Sequence, residues 1–229
     1  MTADATLEAF RLADSFLPVG TYTASYGLEQ FVQEGRVSDA TDLEALLSTY
    51  LERQVGPADL IALRAAHATT REGDVDAACR VDRRLTAVTL AAEFRKSAEQ
   101  SGERLLSLQR DLREASFLNQ YAERVADGDA PSNYAVVLGV VTGLADVDER
   151  SACLLCCHGF VTGLLGAAQR LLSLGHTDAQ RILDDLRPKM IAAVDASAGR
   201  TPDDMMPFAP LIDVITANHE RADRRLFMS

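Results

Sequence analysis

Apolar residues along this chain return every third or fourth position far more often than every second. In SDATDLEALLSTYLERQ, Leu43, Leu46, Leu47, Tyr50 and Leu51 fall at i, i+3, i+4, i+7 and i+8, a single helical stripe. Ser38 or Asp39 stands where an N-cap would satisfy the first free amides. Gly56-Pro57 reads as the end of that helix and the start of another, with Pro57 in its first turn and Asp59 near its positive end. Leu60, Ile61, Leu63 and Ala66 supply the apolar face of this next helix, and Gly73-Asp74 punctuates again. From Val75 to about Leu112 the spacing stays helical over a length that requires a kink or break. Asp127-Gly128-Asp129-Ala130-Pro131 is a loop, with Ser132 or Asn133 able to cap the helix after it. Further helices are expected over about 133–145, 148–173 and 177–197, and from Pro210 onward. YAVVLGVV (134–141) alone has a strand-like composition, and its helical neighbours favour a buried helix. The expected fold is all-α, a compact single-domain bundle of about nine or ten helices over residues 1–229. A flexible N-terminus (about 1–6) and a partner-docking C-terminal tail (about 219–229) complete the expectation.

With 229 residues and 47% apolar content the chain can bury a substantial core. No apolar run of membrane-spanning length is expected, and MTADATLEAF lacks the basic start of a secretory signal, so an intracellular, cytoplasmic protein is the simple reading. A net charge of −11 argues against nucleic acid. Only two lysines, Lys96 and Lys189, accompany 21 arginines. That imbalance fits a high-salt host, where charges are screened within about 3 Å at 1 M, and fits a GC-rich genome equally well.

Four features bear on chemistry. LADSFLPVGTYTASYGLEQF (12–31) interrupts an incipient helix with Pro18 and Gly20, then resumes it near Glu29. It serves either to aim Tyr22, Ser25 and Glu29 at a partner or as an internal helix corner. GVVTG (139–143) and GFVTG (159–163), with Gly166, place glycines a helical turn apart, each costing about 1 kcal/mol relative to alanine. Close helix contact is one reason for them, and room for a passage or a docked partner is another. Cys153, Cys156 and Cys157 share one helix face, as buried thiols or, with a histidine, as a soft-metal site. Leu226, Phe227 and Met228 come after Arg221, Arg224 and Arg225. Such a triplet either folds back on its own domain or anchors another protein. No HExxH, zinc-spaced CxxC pair or phosphate loop is present, and neither Asp184-Asp185 nor Asp203-Asp204 has the third aspartate of a magnesium motif, so an enzyme is disfavoured.

Taken together these blocks resemble the urease accessory protein family UreF, from about Leu12 to Ser229. Asp14, Ser15, Leu17, Pro18, Gly20, Ser25, Gly27, Leu28 and Glu29 match its opening signature. PADL (57–60) and EFRKSAEQSGERLL (93–106), with Arg95 and Gly102, match the next blocks. YAVVLG, RLLSLGHTDAQ and DVITANHERADRRLFMS match the rest, with Gly139, Gly175, Gln180, Asp213, His219, Glu220, Arg225, Leu226, Phe227 and Ser229 in place. Departures stand at Ala98, where the family has serine and the nearest hydroxyl is Ser97, at Asn133, where it often has histidine, and at Ser173 to His176, where it often reads Pro-Leu-Gly-Gln.

The resemblance implies an all-α, dimeric, non-enzymatic partner in nickel insertion into urease. Such a protein joins a UreD/UreH-type accessory protein and recruits the GTPase UreG, with regulation of that GTPase also proposed for the family. Together they present nickel to apo-urease, an internal tunnel being the proposed route. Nickel would pass in transit, with no cofactor held tightly. Partner contacts are expected at Pro18, Gly20, Tyr22, Ser25, Gly27, Glu29, Arg95, His219, Glu220, Arg224, Arg225, Leu226 and Phe227. The alternative is a nickel-binding metallochaperone using Cys153, Cys156 and Cys157.

Overall fold

The computed structural model describes residues 1–20, 25–219 and 227. Among them every regular element is helical: α1 (Ala3–Ala13), α2 (Leu28–Gln33), α3 (Ala40–Tyr50), α4 (Leu60–Glu72), α5 (Val75–Val88), α6 (Ala92–Leu112), α7 (Ser116–Ala126), α8 (Tyr134–Leu144), α9 (Glu149–Leu171), α10 (His176–Asp185), α11 (Arg187–Ala196) and α12 (Pro210–His219). A π-helical segment, Leu51–Asp59, joins α3 to α4 without a break, and only Leu186 separates α10 from α11. Counted as continuous rods, the all-α expectation and its approximate helix number are met. α1 begins at its third residue, capped by the Thr2 hydroxyl, and buries Ala5.

Local chemistry explains the boundaries. Asp39 caps α3 by accepting from the Thr41 and Asp42 amides, at 2.9 and 3.0 Å, while Ser38 turns its own amide and hydroxyl to the Asp42 carboxylate. The expected stripe is buried at Leu43, Leu46, Leu47, Tyr50 and Leu51. Gly56-Pro57 does not end this helix as the spacing predicts. Pro57 has no N–H to return to the Arg53 carbonyl, and the chain absorbs the defect by widening to a π turn. The Phe208 amide donates to Arg53 O at 3.0 Å and the Met206 amide to Pro57 O at 3.2 Å, so a distant extended segment satisfies carbonyls of the widened turn. The break expected between Val75 and Leu112 falls at 89–91. There the Arg95 guanidinium donates to the carbonyls of Thr89 (2.8 Å) and Leu90 (2.7 Å), tying the end of α5 to the start of α6.

The core is built on α8, buried almost throughout and packed between α4 and α6. A Cβ at Gly139 would lie 2.4 Å from Leu63 O, and one at Gly143 would lie 3.1 Å from His67 O. This first glycine row therefore serves backbone-to-backbone approach of α8 and α4. Gly102 does the same for α6, where an added Cβ would lie 1.7 Å from Ser132 O. Ser132 and Asn133 are held from the other side by buried Asp82. Its carboxylate accepts from Tyr121 Oη and the Ser132 amide at 2.6 Å, and from the Asn133 amide and side chain at 2.9 and 2.8 Å. Asn133, one of the departures, thus has a definite polar role.

One expectation is corrected. α9, 23 residues long, reaches a mean hydropathy of 1.6 over 18 residues, long and apolar enough to cross a membrane. Over half of that window (56%) is buried against other helices, which accounts for its composition as that of a core element.

Gly102→Ala is expected to cost about 1–3 kcal/mol or more, because the new methyl meets backbone that cannot yield. Gly159→Ala, with open space at its Cβ position, is expected to gain up to about 1 kcal/mol through helix propensity. Urea unfolding midpoints of the two variants check both signs.

Candidate interaction site

The punctuated stretch is a corner. α1 ends at Ala13, the Asp14 carboxylate accepts from the Phe16 amide (2.9 Å), and Phe16 projects into solvent at 91% exposure beside exposed Pro18. Tyr26 and Gly27 both take left-handed backbone angles, φ 48° and 78°. A side chain at Gly27 would place Cβ 2.7 Å from Thr216 Oγ1, so glycine is required for both its angle and its neighbour. The reversal delivers the Tyr26 ring between Phe94 (centroids 5.4 Å apart) and Phe160 (5.2 Å), while Tyr50 Oη donates to the Tyr26 carbonyl. It also starts α2 with Leu28, Glu29 and Phe31 facing inward.

Glu29 meets the far end of the chain inside the protein. His219, the last residue of α12, is fully buried, with Nδ1 2.8 Å from Glu93 Oε1 and Nε2 3.2 Å from Glu29 Oε2. The Phe227 amide donates to the same Glu29 Oε2 at 3.1 Å. The Phe227 ring is buried, and the Arg170 guanidinium lies over its face, 4.6 Å from the centroid. Hydrogen bonding to Glu93, opposed by burial and helped by the Glu29 hydrogen bond and both carboxylate charges, holds the His219 pKa above the ordinary histidine value.

Behind this clasp runs a cavity of about 280 Å³. One wall is the second glycine row, Gly159, Gly163 and Gly166, and here added Cβ atoms at Gly159 and Gly166 would meet nothing within 4 Å. The row leaves space, in contrast to Gly139 and Gly143. Tyr26, Phe94, Tyr134, Cys156, Asp59 and Asp213 also line it, and burial pushes the Asp59 carboxyl up to about 7. Pro207 and Ala209 face the cavity from the segment held by the π turn, while Met206 and Phe208 between them point outward, 77% and 70% exposed. Leu90 is exposed where it borders the cavity. Phe16, Leu90, Met206 and Phe208 are thus exposed apolar residues that border the cavity or are flanked by residues lining it.

Comparison with known proteins decides the family. The UreF family model matches residues 37–187. The chain belongs to the UreF family. It is 34% identical over 221 residues to a urease accessory protein UreF of Trichodesmium erythraeum (strain IMS101), covering 96% of this chain and 95% of that one. It is 29% identical to that of Bacillus sp. (strain TB-90), covering 97% and 98%. It is 30% identical to urease accessory protein UreF 1 of Brucella melitensis biotype 1, covering 97% and 92%.

In this UreF-family chain the signature residues turn mostly inward. Gly20, Ser25, Gly27, Glu29, His219 and Phe227 are buried, Arg95 is half-buried at the α5–α6 break, and Pro18 is exposed. Tyr22, Glu220, Arg224, Arg225 and Leu226 lie outside the described residues. The structure brings Glu29, His219 and Phe227 together. Glu93, which lies inside the EFRKSAEQSGERLL block without standing out there, is the partner that sequence reasoning missed. An acid flanked by apolar Ala92 and Phe94 was the signal available. Asp59, a helix-start charge by its position in the sequence, instead reaches the cavity. All four cysteines are buried, and burial pushes the Cys153 and Cys157 thiols up to about 12 and raises Cys156 well above its ordinary value. A metal held here would have to draw thiolates out of an apolar setting, and no cluster of three metal-ligating side chains exists among the described residues.

Asp59 has a higher pKa folded than its ordinary 3.8, so the fold binds its proton more tightly than the unfolded chain. Stability from this group is present at low pH and declines as pH rises towards 7. Urea unfolding at about pH 4.5 and pH 8 should show a smaller decline for Asp59→Asn than for the wild type. Parallel declines would contradict this assignment.

Proposed function

We propose that this UreF-family chain is a non-catalytic scaffold in urease maturation, working as a cytoplasmic homodimer. It joins a UreD/UreH-type protein and recruits a UreG-type GTPase, and nickel passes in transit towards apo-urease without being held as a cofactor. The observation that carries this reading is the pairing of an exposed apolar rim (Phe16, Leu90, Met206, Phe208) with the cavity that it borders. Large exposed apolar residues that border a cavity or adjoin residues lining it suit a protein-binding surface. The glycine wall leaves little side-chain bulk on one side, and the Asp59 and Asp213 carboxyls line the same cavity, a setting suited to a passing cation. The buried signature residues act through this surface by fixing the corner and the clasp beneath it. Nucleic acid is disfavoured by the charge of −11.

Co-expression with UreD/UreH-type and UreG-type proteins tests the scaffold. Phe16→Asp combined with Phe208→Asp should keep the helical spectrum and lose co-purification, and normal co-purification would contradict the rim as the docking surface. The metallochaperone alternative has its own readout. In equilibrium dialysis, any nickel bound by the isolated chain should be unchanged when Cys153, Cys156 and Cys157 are all replaced by alanine.

A further inference from the structure

Three chain positions far apart in sequence meet at one imidazole. Glu29 comes from α2, Glu93 from α6, and His219 ends α12, with the Phe227 amide completing the group. Both oxygens of Glu29 already act as acceptors, Oε1 from Gln33 Nε2 at 3.2 Å and Oε2 from Phe227 N at 3.1 Å. The ring nitrogen facing Glu29 is thus placed to donate to a carboxylate that already accepts on both oxygens. Nδ1 faces both oxygens of Glu93, at 2.8 and 3.0 Å, and is likewise placed to donate. A neutral imidazole has one N–H, and two donors make an imidazolium.

We propose that His219 is a proton-operated latch: as an imidazolium it bridges Glu29 and Glu93 and keeps Phe227 seated, and loss of its proton releases Phe227. Deprotonation leaves a ring lone pair facing a carboxylate in a site closed to water, which is repulsive and poorly screened. Glu29 is shared between His219 and Phe227, so movement of one disturbs the other. Among the described residues the charged groups facing the imidazole are Glu29 and Glu93. Arg170 of α9 faces the Phe227 ring, and Asp213, earlier on α12, faces the cavity. The raised histidine pKa sets the sign: the latch is closed below that raised value and opens as pH rises through it. On the role proposed above, urea hydrolysis, which releases ammonia and raises pH, drives it in the opening direction. The latch itself is a property of the isolated chain and is tested there without any partner.

The experiment is heteronuclear NMR of the full-length protein between about pH 6 and 9. Both ring nitrogens of His219 should give protonated shifts at the low end. The protection factor of the Phe227 amide, corrected for intrinsic exchange, should fall above the His219 midpoint with a slope approaching about tenfold per pH unit, the limit for one proton. Glu93→Gln should move that midpoint to lower pH, and His219→Gln should make Phe227 protection independent of pH. Should the variants not fold, the wild-type titration decides alone. A neutral His219 at the low end, or Phe227 protection that stays constant while His219 titrates, overturns the proposal.

Discussion

The architecture depends on a buried imidazole between two carboxylates, because it is the contact that ties the N-terminal corner, α6 and the end of α12 into one unit. Burying charge is costly unless each partner is satisfied, and this group meets that condition with Glu93 on one side, Glu29 on the other and a backbone amide on Glu29. The corner that presents Glu29 exists because Gly27 takes a left-handed angle against Thr216 of the same α12. Steric and electrostatic constraints thus converge on one pair of helices. Replacing either half leaves the other with an uncompensated buried group or an unfilled turn.

Two glycine rows with the same spacing do opposite things. On α8 they are consumed by contact, since Gly139 and Gly143 let the backbone of α4 approach without intervening side chains. On α9, Gly159 and Gly166 face open space, and with Gly163 they line the cavity wall. The π turn at Pro57 adds the opposite wall indirectly. A proline that cannot donate leaves a carbonyl to which Phe208 binds, and the extended segment so held sends Pro207 and Ala209 inward and Met206 and Phe208 outward. The cavity and its apolar rim are therefore products of missing groups, side chains in one wall and an N–H in the other.

Much of this fold is legible in the sequence, and the misses have physical causes. Helical periodicity places α3 and the α8–α12 region closely, because amphipathic spacing is local information. The Gly-Pro pair reads as a stop because a proline in mid-helix usually costs about 3 kcal/mol. Its repair comes from residues 206 and 208, some 150 positions away, which no local pattern reveals. The length and apolarity of α9 are easily underestimated because Gly, Thr and His break up the appearance of a hydrophobic run without adding charge. The signature residues are legible as a group but not in orientation. Glu29 and His219 are polar and are expected to face partners, whereas their mutual charge pairing makes burial tolerable. Pairing between positions 29, 93 and 219 is tertiary information. Of the Leu226–Met228 triplet, Phe227 is buried in its own domain, and its neighbours lie outside the described residues.

The inward residues matter as the frame of the outward ones. The decisive test of that frame is energetic coupling between its two ends. A double-mutant cycle on unfolding free energy, using Glu29→Gln and Phe227→Ala, measures it directly. The account predicts a non-additive term of about 0.5–3 kcal/mol, the range seen for residues in one hydrogen-bonded network. Strict additivity of the two substitutions would contradict it.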